Sequence, residues 1–173
     1  LAEALSDSHR ASIASIWACR GLASIGQIPA LASPEGQLWV KRADRYAPPD
    51  SVERVWADVY LAESTAGQGK RIEAFAVAKH GVDLARRLGD DALFLRVARN
   101  YLAISSPIED SAERIKLAEE MVQKPLNRVE AIVLVQLANF FLEVGQRQLM
   151  EMVTGELQAL AERTRQVHFR LQN

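Results

Sequence analysis

The 173-residue sequence contains one cysteine, Cys19, and no excess of charge of either sign. A single cysteine excludes an internal disulfide and a cysteine-rich zinc site, so a secreted, disulfide-stabilised scaffold is excluded and a reducing cytoplasm is the expected location. The 21 basic and 22 acidic residues give no basic surplus. Because that surplus dominates the affinity of dedicated nucleic-acid-binding proteins, nucleic acid is not expected as a partner.

Long hydrophobic runs are also absent. The most apolar stretch, Ala131 to Leu142, has 12 residues and contains Gln136 and Asn139, whereas a helix that crosses a bilayer needs about 20. No membrane partner is therefore expected. The chain begins at Leu1 without a charged leader, which predicts a piece of a larger protein.

No set of residues points to catalysis, a metal or a cofactor. The histidines lie far apart and lack partners at zinc-binding spacing, at His9, His80 and His168. The stretch from Gly67 to Lys70 lacks the full glycine pattern of a phosphate loop and is predicted to be a turn. Cys19 is interpreted as a buried structural thiol, and the tryptophans are expected to pack in the core, namely Trp17, Trp39 and Trp56. The sequence therefore predicts a protein that is not an enzyme.

Helix-forming residues dominate what is present. Alanine and leucine account for 46 residues, and proline or glycine recurs every 18 to 20 residues from Pro49 to Gly145. All six prolines are expected between helices. Helix starts are predicted where a capping residue precedes a glutamate, at Asp50, Ser106 and Asn127. One predicted buried stripe comprises Ile108, Ala112, Ile115, Ala118 and Val122. The fold class predicted from these patterns is all-α.

The helices pair into a repeat, because Gly69, Pro107 and Gly145 are 38 residues apart. Two matching motifs are Phe94-x2-Val97-Ala98-x2-Tyr101 and Leu134-x2-Leu137-Ala138-x2-Phe141. On these motifs the chain resembles the tetratricopeptide repeat family, whereas Asp58 and Thr65 stand where that pattern has large residues. The stretch from Leu84 to Asp91 is similar to junctions in the longer-period repeats of large bacterial signalling proteins, such as cyclase and ATPase fusions and LuxR-type regulators.

The resemblance implies one domain, 1–173, folded as a right-handed superhelix of about four helical hairpins at 1–49, 50–89, 90–126 and 127–173. First helices of such hairpins line a concave groove. The family register places nine residues there, a mainly apolar set with three polar members: Trp56, Val59, Glu63, Leu95, Arg99, Leu102, Val135, Asn139 and Leu142.

Three functional hypotheses follow. In the first, the groove binds a peptide or helix, from another protein or from other domains of the same chain, as a non-catalytic interaction or regulatory module, with a homodimer as a further possibility. In the second, the groove is a small-molecule sensor with Trp56 as an aromatic wall and Arg99 as an anchor for an anion. In the third, the chain supplies part of an active site that another domain completes.

Overall fold

The computed structural model describes residues 7–104, 111–126 and 130–164. These ranges consist of helices joined by short turns and contain no strand, which confirms the predicted all-α class. The helices are α1 (Ser8–Ala32), α2 (Pro34–Tyr46), α3 (Val52–Gly67), α4 (Arg71–Leu88), α5 (Asp91–Ile104), α6 (Ser111–Val122), α7 (Ala131–Glu143) and α8 (Arg147–Thr164).

The helices belong to two compact units, Leu1–Asp90 and Asp91–Asn173. In the first unit α1 packs against α2 and α3 against α4, while α3 also contacts α1 and α2. In the second unit α5 contacts both α6 and α7, and α7 packs against α8. Helices that follow one another in sequence therefore pair as hairpins within each unit.

Serine side chains cap two helices of the first unit. The Ser33 hydroxyl accepts from the backbone N–H of Gly36 at 3.1 Å, and Pro34 occupies the first position of α2. The Ser51 hydroxyl accepts from the N–H of Arg54 at 3.0 Å. The cap predicted for α3 was Asp50, one residue before the observed cap. Asp50 has a φ of +52°, whereas a cap residue has extended backbone, as Ser51 does.

Other predicted helix starts fall elsewhere. α7 begins after Glu130, whose side chain makes no capping bond, so Glu130 is the cap residue and not a member of the first turn. Ser106 and Asn127 lie outside the described residues.

Proline and glycine mark most helix ends. Pro29 is an exception, because it lies inside α1, so the prediction that every proline falls between helices is wrong there. Proline has no N–H to donate to the carbonyl four residues earlier, and α1 ends three residues later, at Ala32. The glycines Gly69, Gly89 and Gly145 have φ values of +81°, +72° and +73° and follow α3, α4 and α7. Only a residue without Cβ adopts this left-handed conformation without strain.

The buried face of α6 differs from the predicted one because it includes a charged residue, Arg114. Arg114 is buried, and its guanidinium lies 4.9 Å from the ring centre of Phe140 and 3.7 Å from the Glu143 carboxylate. Leu117 and Met121 are buried on the same side of the helix, which also includes Ala118, whereas Ala112 is exposed. The prediction was therefore wrong for Ala112, because the long aliphatic stem of an arginine packs like an apolar side chain. Ile115 and Val122 are half-buried, and Ile108 lies outside the described residues.

Asp58 links three helices of the first unit. Its carboxylate is 4% exposed and accepts from Arg54 Nε at 2.9 Å, and its other oxygen lies 2.7 Å from His80 Nδ1 on α4. Arg54 in turn donates to the backbone carbonyl and the carboxylate of Asp44 on α2, at 2.9 and 2.7 Å. A buried carboxylate is stable only with such partners. This network explains why α3 has an aspartate where the repeat pattern has a large residue.

We expect Asp58→Ala to lower the free energy of unfolding by about 3 kcal/mol, because Arg54 would keep its burial and lose its inner partner. The matched control is Asp83→Ala on α4, which removes an exposed pair with Arg86 and should cost less than about 1 kcal/mol. Urea denaturation of both variants measures the difference. Equal losses would contradict a structural role for the Asp58 network.

Glycine at position 36 permits the tight turn between α1 and α2. A Cβ on Gly36 would overlap the backbone carbonyl oxygens of Ala30 and Leu31, whereas a Cβ on Gly21, in the exposed middle of α1, would meet nothing. We expect Gly36→Ala to destabilise the protein by about 1 to 3 kcal/mol and Gly21→Ala to stabilise it by about 0.5 to 1 kcal/mol. Thermal unfolding of both variants tests this opposition, and a shift of the same sign in both would contradict it.

Candidate functional site

An open pocket lies between α1 and α3 in the first unit. Its volume is about 180 Å³, and its lining is mainly aromatic and branched aliphatic, from Ile13, Ile16, Trp17, Arg20, Val52, Glu53, Trp56 and Tyr60. We call it the α1–α3 pocket. The rings of Trp56 and Tyr60 stack with centroids 6.1 Å apart and an interplanar angle of 25°. The Arg20 guanidinium lies 5.2 Å from the Trp17 ring centre.

The pocket exists because α1 buries small side chains and exposes large apolar ones. In the first half of α1 the side that faces the core carries small residues, Ala11, Ser12, Ser15 and Cys19, all buried, whereas the large Leu31 is buried near the end of the helix. Large apolar side chains are instead exposed, including Trp17 at 61% and Ile13 at 36%. Small buried residues let α3 approach closely, and the large ones remain available at the surface.

Further contacts fix α3 beside α1. The buried Ser64 hydroxyl donates to the carbonyl of Leu31 at 2.9 Å, which ties the end of α3 to the end of α1. The Ser15 hydroxyl is satisfied within α1 by the carbonyl of Ala11 at 2.7 Å. The wall of the pocket is therefore built on two helices held in fixed register.

Size limits what the pocket can hold. A cavity of about 150 Å³ accommodates benzene, whereas pockets that bind small-molecule ligands usually have volumes of at least about 300 Å³. The α1–α3 pocket falls between these values. It fits one aromatic ring or one branched aliphatic side chain.

Two ionisable groups on α1 and α3 are uncharged at neutral pH, Tyr60 in the pocket lining and Cys19 outside it. Burial raises the pKa of the Cys19 thiol to about 12, and the negative charge of Glu63 adds to this effect. Burial and Glu63 also hold the pKa of the Tyr60 phenol well above its usual value. Both groups are therefore neutral, and the charges belong to the more exposed Arg20 and Glu53. Cys19 is buried as predicted.

The structure distributes the nine predicted groove residues unevenly. Three of them are buried and offer no surface to a partner: Val59, Leu95 and Leu102. In the first unit, Trp56 and Glu63 are half-buried on α3, and only Trp56 lines the pocket.

The other four predicted residues lie in the second unit. Arg99 is half-buried on α5 and donates to the side-chain amide of Asn100. Val135, Asn139 and Leu142 share one face of α7, where Val135 is half-buried and the other two are exposed.

Sequence reasoning missed the contribution of α1. The tryptophans were expected in the core, but Trp17 is mostly exposed and Trp39 and Trp56 are half-buried. The spacing of Ile13, Ile16, Trp17 and Arg20 matches a helix face. That signal was available, but it could not be distinguished from a core-facing stripe without knowing which side of α1 is covered.

Other candidate chemistry has structural explanations. Gly67 ends α3 and Gly69 turns the chain into α4, which confirms the turn predicted there. Across residues 7–104, 111–126 and 130–164, no cluster of three histidine, cysteine or acidic residues is placed to share a metal ion. None of the described helices combines the length and apolarity that crossing a bilayer requires.

Comparison with known proteins identifies no relative: no protein-family model, curated protein or solved structure matches the chain.

We expect alkaline pH to destabilise the protein through Cys19. Folding raises the thiol pKa from 9.0 to about 12, so the folded state holds this proton more tightly than the unfolded state. The resulting stabilisation is complete below pH 9 and is lost as the pH rises towards 12.

Comparing the wild type with Cys19→Ala in urea between pH 9 and 10 isolates the thiol, because Tyr60, whose ordinary pKa is 10.0, titrates in both proteins. The stability of the wild-type protein should fall across this interval, and that of Cys19→Ala should fall less steeply. Equal slopes would contradict the burial of a neutral thiol.

Proposed function

We propose that the chain is a non-catalytic interaction module that holds one hydrophobic side chain of a peptide or helix in the α1–α3 pocket. The observation that carries this proposal is the exposure of Trp17 beside Trp56 and Tyr60 in a pocket of about 180 Å³. Aromatic residues around a small pocket are typical of interface hot spots, where one anchor residue supplies much of the affinity.

The proposed architecture is a right-handed, tetratricopeptide-like superhelix. It is supported by hairpin pairing in both units and by the contact of α1 with α3 and of α5 with α7, the first helices of successive hairpins. In such a stack these helices line the concave side, which is where the proposal puts Trp56. A cytoplasmic role in a large bacterial signalling protein is part of the same proposal and has its basis in the sequence resemblance.

The charged groups around the pocket suit a peptide better than a free small molecule. Arg20 and Glu53 both line the pocket, so a partner backbone or a polar neighbour of the anchor residue can pair with either sign of charge. The volume is too small for most small-molecule ligands. These two features favour the interaction module over the sensor.

The experiment begins with selection of peptides on the wild-type chain from a displayed random library. We expect the selected peptides to share one aromatic or branched aliphatic residue. Fluorescence anisotropy with a selected peptide should show that Trp56→Ala weakens binding about tenfold or more, since truncating a hot-spot aromatic typically costs about 2 kcal/mol.

Trp39→Ala is the matched control, because Trp39 is a half-buried tryptophan on α2 that stacks with Arg42 outside the pocket. Its peptide affinity should equal that of the wild type. Equal losses in the two variants, or no loss in Trp56→Ala, would contradict the proposal. Native mass spectrometry of the purified protein provides a second test, because a retained small molecule would favour the sensor hypothesis.

A further inference from the structure

α7 exposes an apolar face in the second unit. The side of α7 that faces the core carries Leu134, Leu137 and Phe141, which are at most 1% exposed. The opposite side carries Ile132 at 50% exposure and Leu142 at 66%. Two further residues complete this face, so that the set, here called the α7 seam, comprises Ile132, Val135, Asn139 and Leu142.

The spacing along the α7 seam is that of a two-stranded coiled coil. The steps of three, four and three residues put Ile132 and Asn139 at a positions and Val135 and Leu142 at d positions. Isoleucine at a and leucine at d favour pairs of helices, and a single asparagine at a fixes their register and number. An asparagine is otherwise a poor choice in the middle of an apolar face.

We propose that the α7 seam binds the α7 seam of a second copy of this chain, with the two helices parallel. In a parallel pair a positions meet a positions, so the Asn139 amides of the two copies hydrogen-bond to each other. In an antiparallel pair of the same helices Asn139 would face Val135, which has no group to bond its amide. The buried amide therefore selects the parallel arrangement.

The flanks of the seam permit this self-association. The e and g positions beside the central asparagine are Gln136 and Ala138, both half-buried and uncharged. Glu143, at the next e position, would face the Ala138 of the second copy across a parallel pair. At these e and g positions no like charges meet, so the two α7 helices can pair without repulsion between them.

The length of the seam sets the strength of the pairing. α7 has only 13 residues. Two such helices bury less surface than the roughly 1,200 Å² that a stable protein–protein interface needs. We therefore expect a reversible dimer with a dissociation constant between about 10 µM and 1 mM. Such weak pairing responds to local concentration and strengthens when other parts of an assembly hold two copies together.

Sedimentation velocity of the full chain from about 1 µM to 1 mM tests the pairing. The mean mass of the wild type should rise with concentration. Leu142→Glu should weaken association about tenfold or more, because two carboxylates would face each other at the seam. The matched control is Leu38→Glu, since Leu38 is 50% exposed on α2 of the other unit and its variant should dimerise like the wild type.

Circular dichroism melting should show that both variants are folded, because both substitutions are at exposed positions. A wild type that stays monomeric at every concentration, or equal behaviour of the two variants, would overturn the proposal. The peptide-binding test of the α1–α3 pocket uses a different unit of the chain, so the two proposals fail separately.

Cross-linking distinguishes the two orientations. Leu142→Cys should form an intermolecular disulfide in oxidised glutathione, because d positions face each other only in the parallel pair. Leu38→Cys should cross-link far more slowly, and Cys19 is fully buried. A mixture of Ile132→Cys and Leu142→Cys proteins that forms mainly the mixed disulfide would overturn the parallel arrangement.

Discussion

The position of α3 in the first unit depends on one buried carboxylate, Asp58. A charge that is removed from water must be matched by partners in fixed positions, and Arg54 and His80 supply them from α3 itself and from α4. Arg54 extends the link to Asp44 at the end of α2. Hydrophobic contacts tolerate small rotations of a helix, but hydrogen bonds to a buried carboxylate do not. The network therefore fixes the rotation of α3 and, with it, the direction in which Trp56 faces.

The α1–α3 pocket follows from this constraint and from an inversion of side-chain size on α1. Small residues such as Ser15 and Cys19 face the core, while Trp17 faces solvent. Helices that bring small residues to their contact approach closely, and the large side chains then project beside the contact. The pocket is thus a consequence of how two helices pack, and the same packing leaves Cys19 and Tyr60 neutral by excluding water from them.

The second unit differs from the first in where its polar side chains lie. Arg114 is buried against the Phe140 ring, so a cation occupies the core side of α6. Asn139 lies on the exposed side of α7, among apolar neighbours. We propose one partner surface in each unit. The pocket is the proposed site for a single anchor residue, and the α7 seam is the proposed site for a helix of matching period.

The helical class and the helix ends at glycine were predicted from the sequence, because composition and the conformational preference of glycine act over a few residues. Gly69, Gly89 and Gly145 needed no knowledge of the rest of the chain, whereas the Ser33 cap of α2 was not predicted and Asp50 was predicted in place of Ser51. Which face of each helix is covered was decided only by tertiary structure, since a periodic stripe looks the same whether it faces the core or solvent. Trp17 and Ala112 were misassigned for this reason. Local bonding determines where a helix begins and ends, but its neighbours determine which of its side chains reach a partner.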